Sequence, residues 1–297
     1  MKILVVGSKG FIGSHCVNFF RNENTAWGCD VYTDYNESEF FLIDSSNSDF
    51  QSIFIQNKFD FCINCSGAAS VPESMRDPAR DYVLNVYNVF QLLESIRKHN
   101  ASCKFINLSS AAVYGNPVSL PVSEAHQLLP LSPYGFHKLQ AEQLCLEYHR
   151  YFGLGTCSLR IFSAYGPGLR KQILWDLFLK SRDSNVVELF GTGDESRDFI
   201  FIDDIMSAIN AIVKEGAFDA SIYNLSSGES QSIRRVSEIF LTSISWRGTL
   251  RFTGIRRPGD PDFWQADISK IKSIGFVPTI TIEDGIKKYT KWVSSLG

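Results

Sequence analysis

Apolar runs at residues 3–6, 25–29, 40–43, 61–65 and 103–108 alternate with segments whose apolar residues recur at helical spacing. A strand covered on both faces has no need of polar alternation, so these runs predict strands of a parallel sheet with helices on either side. The segments at 48–57, 81–100 and 139–151 predict the crossover helices, and residue 11 opens the first of them. Past residue 165 the pattern continues with helices over 200–213, 233–244 and 282–293 and a short strand over 222–225. The expected fold class is α/β, a doubly wound parallel sheet built from βαβ units. No linker, repeat or low-complexity run divides the chain. The expected domains are 1–165 and a smaller one, mainly 166–297, interleaved with the first.

The first run turns over three evenly spaced glycines, Gly7, Gly10 and Gly13. Gly7 permits the sharp turn, Gly10 lets a pyrophosphate approach the backbone, and Gly13 lets the new helix pack on its strand. The helix start at Phe11, Ile12 and Gly13 presents unpaired N–H groups, and the helix dipole adds to their attraction for an anion. A dinucleotide is the ligand this turn suits. Its partner acid belongs about 20 residues on, at the tip of the second strand, where Asp30 stands. A carboxylate there accepts hydrogen bonds from ribose hydroxyls and repels a 2′-phosphate, which favours NAD over NADP. Asp44 follows the third strand, where the chain would pass the adenine. Cys65, Ser66 and Gly67 follow the fourth, and small residues there let the backbone lie against a flat ligand.

Composition narrows the partners. With 44% apolar residues, a net charge of −3 and no basic stripe, the chain reads as a globular protein that binds neither nucleic acid nor membrane. No apolar run approaches a membrane span and the N-terminus enters a strand directly, so a cytoplasmic location is expected. Seven cysteines lie in or beside apolar runs and read as reduced core residues. The Cys62–Cys65 spacing falls in a strand, where residues three apart face opposite ways, and the five histidines show no ligand spacing, so no metal is expected.

A second constellation follows the fifth strand, which ends at Ser109 and Ser110. After a loop over 116–133 with four prolines come Tyr134 and Lys138, four apart and so on one helical face. An ammonium beside a phenol, helped by a cationic nicotinamide, favours the phenolate and brings its proton into working range. Asn85 lies on the first turns of the helix expected over 81–100.

Taken together, Gly7, Gly10 and Gly13, Asp30, the strand end Ser109-Ser110-x-x-Val113-Tyr114-Gly115 and Tyr134-x-x-x-Lys138 resemble an extended short-chain dehydrogenase/reductase of the NAD-dependent sugar epimerase/dehydratase family. The resemblance implies a Rossmann-type sheet with a smaller substrate domain. It implies NAD held by the residues above together with Asn85, Ser109, Tyr134, Lys138 and Phe162. Residues 156–168 resemble the family's sixth strand and its exit loop, where Ser163 stands at a substrate contact that is asparagine in many relatives. Arg197 and Arg257 match arginines that clamp a nucleotide diphosphate, and Asp260 a ribose or structural partner. A homodimer through a four-helix bundle is also implied, with Cys145 and Leu146 as seam candidates.

The implied chemistry is hydride transfer at a sugar carbon, usually C4, with Tyr134 taking the hydroxyl proton, Lys138 holding the ribose and Ser110 bonding the reacting oxygen. Family 4,6-dehydratases carry an Asp-Glu pair after the catalytic hydroxyl, where this chain has Ala111-Ala112, so dehydration is disfavoured. Three readings stay open: an epimerase of a UDP- or other nucleotide sugar, a 4-ketosugar reductase or sugar dehydrogenase, and a non-catalytic dinucleotide-binding regulator.

Overall fold

The computed structural model of the chain describes residues 1–32, 38–44, 48–255 and 261–296. Arg257 and Asp260 lie outside the described residues. The chain begins β1 (Lys2–Val6), α1 (Phe11–Arg21), β2 (Thr25–Asp30), β3 (Phe40–Leu42), α2 (Gln51–Gln56), β4 (Phe61–Asn64). Short helices α3 (Val71–Arg76) and α4 (Pro78–Tyr82) lead through a π-helical turn, Val83–Tyr87, into α5 (Asn88–His99). Then come β5 (Lys104–Ser110), a 3-10 turn at Ala111–Val113, α6 (Pro133–Phe152) and β6 (Thr156–Ile161). The later strands are β7 (Ser163–Tyr165), β8 (Val186–Leu189), β9 (Ser196–Phe201), β10 (Asp219–Leu225), β11 (Ser230–Ser232) and β12 (Thr249–Phe252). The later helices are α7 (Gln172–Asp183), α8 (Ile202–Glu215), α9 (Ile233–Ser243), α10 (Ser269–Lys272) and α11 (Ile282–Ser294).

Seven strands form one sheet in the order β10-β6-β5-β4-β1-β2-β3. From β3 across to β6 every neighbouring pair is parallel. The chain leaves β1 toward β2 and β3, then returns to the other side of β1 for β4, β5 and β6. That reversal between β1 and β4 opens a crevice at the strands' carboxyl ends, the place where such sheets bind ligands. Ile3, Leu4, Val5, Cys62 and Ile63 are fully buried, as strands covered on both faces require.

Two compact units divide the chain: Met1–Gly115 with Leu128–Ile161 and Ile209–Tyr223, and Asn116–Gln127 with Phe162–Ala208 and Asn224–Gly297. The second holds the three-stranded sheet β11-β9-β7 and the parallel pair β12-β8.

Several boundaries differ from the apolar pattern for local reasons. The helix expected over 48–57 starts only at Gln51, because Asp49 accepts from both the N–H and the hydroxyl of Ser52 and so turns the chain first. The helix expected from 81 starts at Pro78, where Asp77 caps it by accepting from the Arg80 N–H. Ile200 and Phe201 have helical spacing yet finish β9, since they pair with Ala164 and Tyr165 of β7. Cys145, expected at a dimer seam, faces inward and is 1% exposed, whereas Leu146 beside it is 44% exposed. The two are adjacent on one helix, about 100° apart.

Candidate active site

The first turn of α6 sets the site. Ser132 caps the helix by accepting from the Gly135 N–H at 3.2 Å, and Pro133 takes the first helical position. Gly135 lets this turn press on the 3-10 turn after β5, because a Cβ there would lie 2.6 Å from the Ala112 carbonyl oxygen. That close approach brings Tyr134 to Ser110, and their hydroxyls hydrogen-bond. The Ser110 hydroxyl also accepts from the Ala112 N–H at 3.2 Å, which fixes its direction. One turn along α6, the buried Lys138 ammonium donates to the Leu108 carbonyl at 2.8 Å and sits 5.9 Å from the Tyr134 ring centre. Ser110, Tyr134 and Lys138 are thus brought together at the end of β5.

Their electrostatics depart from the expectation that Lys138 draws the phenol down. Burial pushes the Tyr134 phenol up to about 12, the Ser110 hydrogen bond opposes this, and the charge of Asp81 adds to it. Burial pushes Lys138 down to about 8, while Asp81, Cys65 and Glu142 hold it up. In the protein's own surroundings, loss of water outweighs the favourable contacts of each group.

The glycine turn fits a dinucleotide. Gly7 has φ +79°, and a Cβ there would lie 2.6 Å from the Ser66 nitrogen, so β1 and β4 end in direct backbone contact across the sheet reversal. A Cβ on Gly13 would come within 2.0 Å of the Gly7 carbonyl oxygen, which is how closely α1 packs on the turn. Gly10 offers α1 no side-chain cap, leaving the first-turn N–H groups of Phe11, Ile12 and Gly13 for an anion. Asp30, buried at the tip of β2, accepts from the Lys9 N–H at 2.8 Å and the Val31 N–H at 2.7 Å. It therefore ties the turn to β2, and its remaining lone pairs suit ribose hydroxyls. Asp44 is exposed just past β3. After β4, Ser66 donates to Asn64 at 2.5 Å, and the Cys65 thiol meets that of Cys16 in α1 by a hydrogen bond that, with burial, raises Cys16.

Asn85 lies in the π-helical turn, 1% exposed. A Cβ on Gly67 would lie 2.4 Å from Asn85 Oδ1 and 3.4 Å from Lys138 Nζ, so the loop after β4, the π-turn and α6 meet at one small volume. Ser109 behaves otherwise: its hydroxyl turns inward and donates to Glu142 Oε1 at 2.5 Å. Any ligand contact from that position falls to its backbone.

In the second unit, Phe162 is buried edge-on against Trp264, with ring centres 5.7 Å apart, and Ser163 opens β7. Arg197 stands on β9, donates to the Ser196 carbonyl at 2.8 Å and places its guanidinium 5.6 Å from the Trp264 ring. Beside it the buried Asp198 accepts from the Ser227 N–H and hydroxyl, the Gly228 N–H and the Ala266 N–H, gathering two segments around β9. Burial still pushes its carboxyl up.

Comparison with known proteins gives the family. The model of the NAD dependent epimerase/dehydratase family matches residues 3–226. The chain belongs to that family. Among its relatives, the uncharacterized UDP-glucose epimerase YtcB of Bacillus subtilis is 29% identical over 100% of this chain and 99% of its own. Among solved structures, a UDP-glucuronic acid 4-epimerase from Bacillus cereus, in complex with UDP-glucuronic acid and NAD, matches with TM-score 0.91 and 28% identity. That match covers 100% of both chains. A UDP-N-acetylglucosamine 4-epimerase from Methanobrevibacter ruminantium, in complex with UDP-N-acetylmuramic acid, matches with TM-score 0.90 and 26% identity over 100% of this chain and 99% of its own.

As a member of the epimerase/dehydratase family the chain is an NAD-dependent enzyme, and the glycine turn with Asp30 fits NAD. Four residues beside the site, Glu142, Arg160, Asp81 and His137, carry no role that the sequence alone assigns. Glu142 takes a paired contact from Arg160 at 3.0 and 2.8 Å, Arg160 donates to the Tyr114 hydroxyl at 2.9 Å, and all three are buried. Asp81 accepts from Asn85 Nδ2 at 3.1 Å and lies 2.6 Å from His137 Nδ1. Glu142 stands four residues after Lys138 in the sequence, but spacing does not tell a buried acid from a solvated one. Among the described residues, no helix is long and apolar enough to cross a membrane.

Proposed function

We propose that this enzyme inverts C4 of a UDP-sugar by transient oxidation, using Ser110, Tyr134 and Lys138. The hydrogen-bonded Ser110–Tyr134 pair, with Lys138 one turn behind it, carries the reading. NAD, when bound, supplies the hydride acceptor and a positive ring. Tyr134, as the phenolate that this positive ring and the Lys138 ammonium would favour, would take the proton of the sugar hydroxyl as that carbon is oxidised and return it when the opposite face is reduced. Ser110 donates to the sugar oxygen, a pre-placed contact of a kind worth roughly 2.7–4 kcal/mol in the transition state. Lys138, anchored on the Leu108 carbonyl, holds a positive charge next to the phenol. The first unit is the dinucleotide-binding part and the second the sugar-nucleotide part, with Ser163 on the sugar and Arg197 on the diphosphate, joined by Arg257 and Asp260.

The same reading includes a homodimer. Tyr87, Phe90, Phe136 and Leu146 are each between 38% and 52% exposed on the helices that carry Asn85 and Tyr134, an apolar face of the kind that pairs helices between subunits. It also includes a cytoplasmic setting, supported by seven free cysteines, six of them buried.

The test has two parts. Protein denatured as purified releases about one NAD per chain, the mark of an enzyme that recycles its own hydride. UDP-glucose, UDP-N-acetylglucosamine and UDP-glucuronic acid are then each incubated with the enzyme, and proton NMR of the anomeric region shows the C4 epimer of at least one. No epimer from any of them, with NADH or NADPH consumed on a 4-ketosugar, assigns the site to a reductase instead.

A further inference from the structure

Asp81 and His137 come from different helices, α4 and α6, and neither belongs to the Ser110–Tyr134–Lys138 set. They nevertheless form a buried pair, 2.6 Å apart, with side chains 3% and 12% exposed. The Tyr82 ring packs edge-on against the imidazole at 5.4 Å and screens its outer side. The same Asp81 oxygen accepts from Asn85 Nδ2 at 3.1 Å. Asp81 Oδ2 and Asn85 Oδ1 are buried with no hydrogen-bond partner among the protein's atoms. Asn85 Oδ1 and Lys138 Nζ border the same space at Gly67, so one of these unpartnered acceptors lies where the ammonium is.

Asp81 is not simply a helix-packing acid. A buried carboxylate acts over several ångströms because little water screens it. Its charge reaches both Tyr134 and Lys138. The other groups facing Lys138 are Cys65 from the loop after β4 and Glu142 from its own helix, and Glu142 is already paired with Arg160. Tyr134 faces Ser110, Asp81 and the Lys138 ammonium itself, and His137 faces Asp81 and Tyr82. Asp81 is therefore the one carboxylate among these groups without a cationic arginine of its own, and an imidazole is its only titratable hydrogen-bond partner.

We propose that Asp81 is a positioning residue of the acid–base site, clamped by His137 and Asn85 so that its carboxylate holds a negative charge beside Lys138. The role in turnover rests on the proposed epimerase reading; the charge coupling does not. Without that charge, burial meets less opposition at Lys138 and the ammonium is lost at a lower pH. A fixed positive charge in place of His137 would cancel the carboxylate and have the same effect.

The test uses the holoenzyme with 13Cε-labelled lysine, the Lys138 signal being assigned by its loss in Lys138→Met. Asp81→Asn removes the charge and keeps the shape, and His137→Arg cancels the charge without touching Asp81. Each is expected to lower the midpoint of the Lys138 titration by about 1–3 pH units, the usual effect of one nearby charge. The alkaline limb of the turnover profile should move down with it, while NAD content holds. Asp81→Glu restores the charge and should return the midpoint toward that of the unchanged protein. A Lys138 midpoint that stays put in either folded variant overturns the proposal. A midpoint that shifts in a protein inactive on every UDP-sugar upholds the coupling and refutes only the epimerase reading.

Discussion

Tyr134 and Lys138 show how one helical face becomes reactive at the cost of being dry. Burial raises the phenol to about 12 and lowers the ammonium to about 8, so each is held in its neutral form more firmly than in water. Removing the phenol oxygen takes away the proton acceptor without disturbing the glycine turn. Tyr134→Phe should therefore cut kcat by at least about 10²-fold, the low end of what general acid–base groups contribute, and leave the NAD released on denaturation unchanged. Lys138 carries a linked stability effect. Its folded value near 8 lies below its ordinary 10.5, so the folded state binds fewer protons between those pH values. The penalty on folding is full below about pH 8 and fades as the pH rises toward 10.5. Lys138→Met should abolish turnover yet raise stability at pH 7 by about 1–3 kcal/mol in urea unfolding, with the gain shrinking by pH 10.

Elements decide whether those residues meet. Four residues separate Tyr134 from Lys138 on α6, but Ser110 reaches Tyr134 only because Gly135 lets the helix start lie on the Ala112 carbonyl. Gly135→Ala places a Cβ 2.6 Å from that oxygen, so either the turn or the helix must move. The expected result is a stability loss of about 1–3 kcal/mol together with a fall in kcat larger than the rise in KM. Equal catalysis in the variant would show that Ser110 and Tyr134 need no such contact. The network behind α6 works in the same direction. Glu142 joins β5 through Ser109 and β6 through Arg160, pinning the helix one turn beyond Lys138. Arg160→Met leaves that carboxylate buried without its cation, and calorimetry or urea unfolding should show a loss of about 3–5 kcal/mol.

At the scale of the whole molecule, the sheet order brings distant pieces of chain to one edge. Gly7, Asp30, Cys65 to Gly67 and Ser110 all follow carboxyl ends of strands in the order that reverses at β1 and β4. The exposed face bearing Tyr87 and Phe90, whose rings stack at 6.3 Å, belongs to the same unit. If the proposed homodimer forms through this face, changing both to Asp should leave a 33.4 kDa monomer in size-exclusion chromatography where the unchanged protein is expected to elute as a dimer. A dimer that survives the double change would place the seam elsewhere.

The strands of the sheet, the glycine turn and the Tyr134–Lys138 face were legible in the sequence because each is written in local spacing: unbroken apolar runs, three glycines three apart, two side chains four apart. Chemistry that depends on which segments meet was not. Cys145 and Leu146 are neighbours with opposite fates, the π-turn that carries Asn85 leaves no trace in apolar periodicity, and Ile200 with Phe201 has helical spacing in what became a strand. Asp81 and His137 are 56 positions apart, and Glu142 and Arg160 lie on a helix and the next strand. A lone acid reads the same in solvent as in a core; only packing removes its water, and that removal turns Asp81 and Glu142 into charges the site can feel.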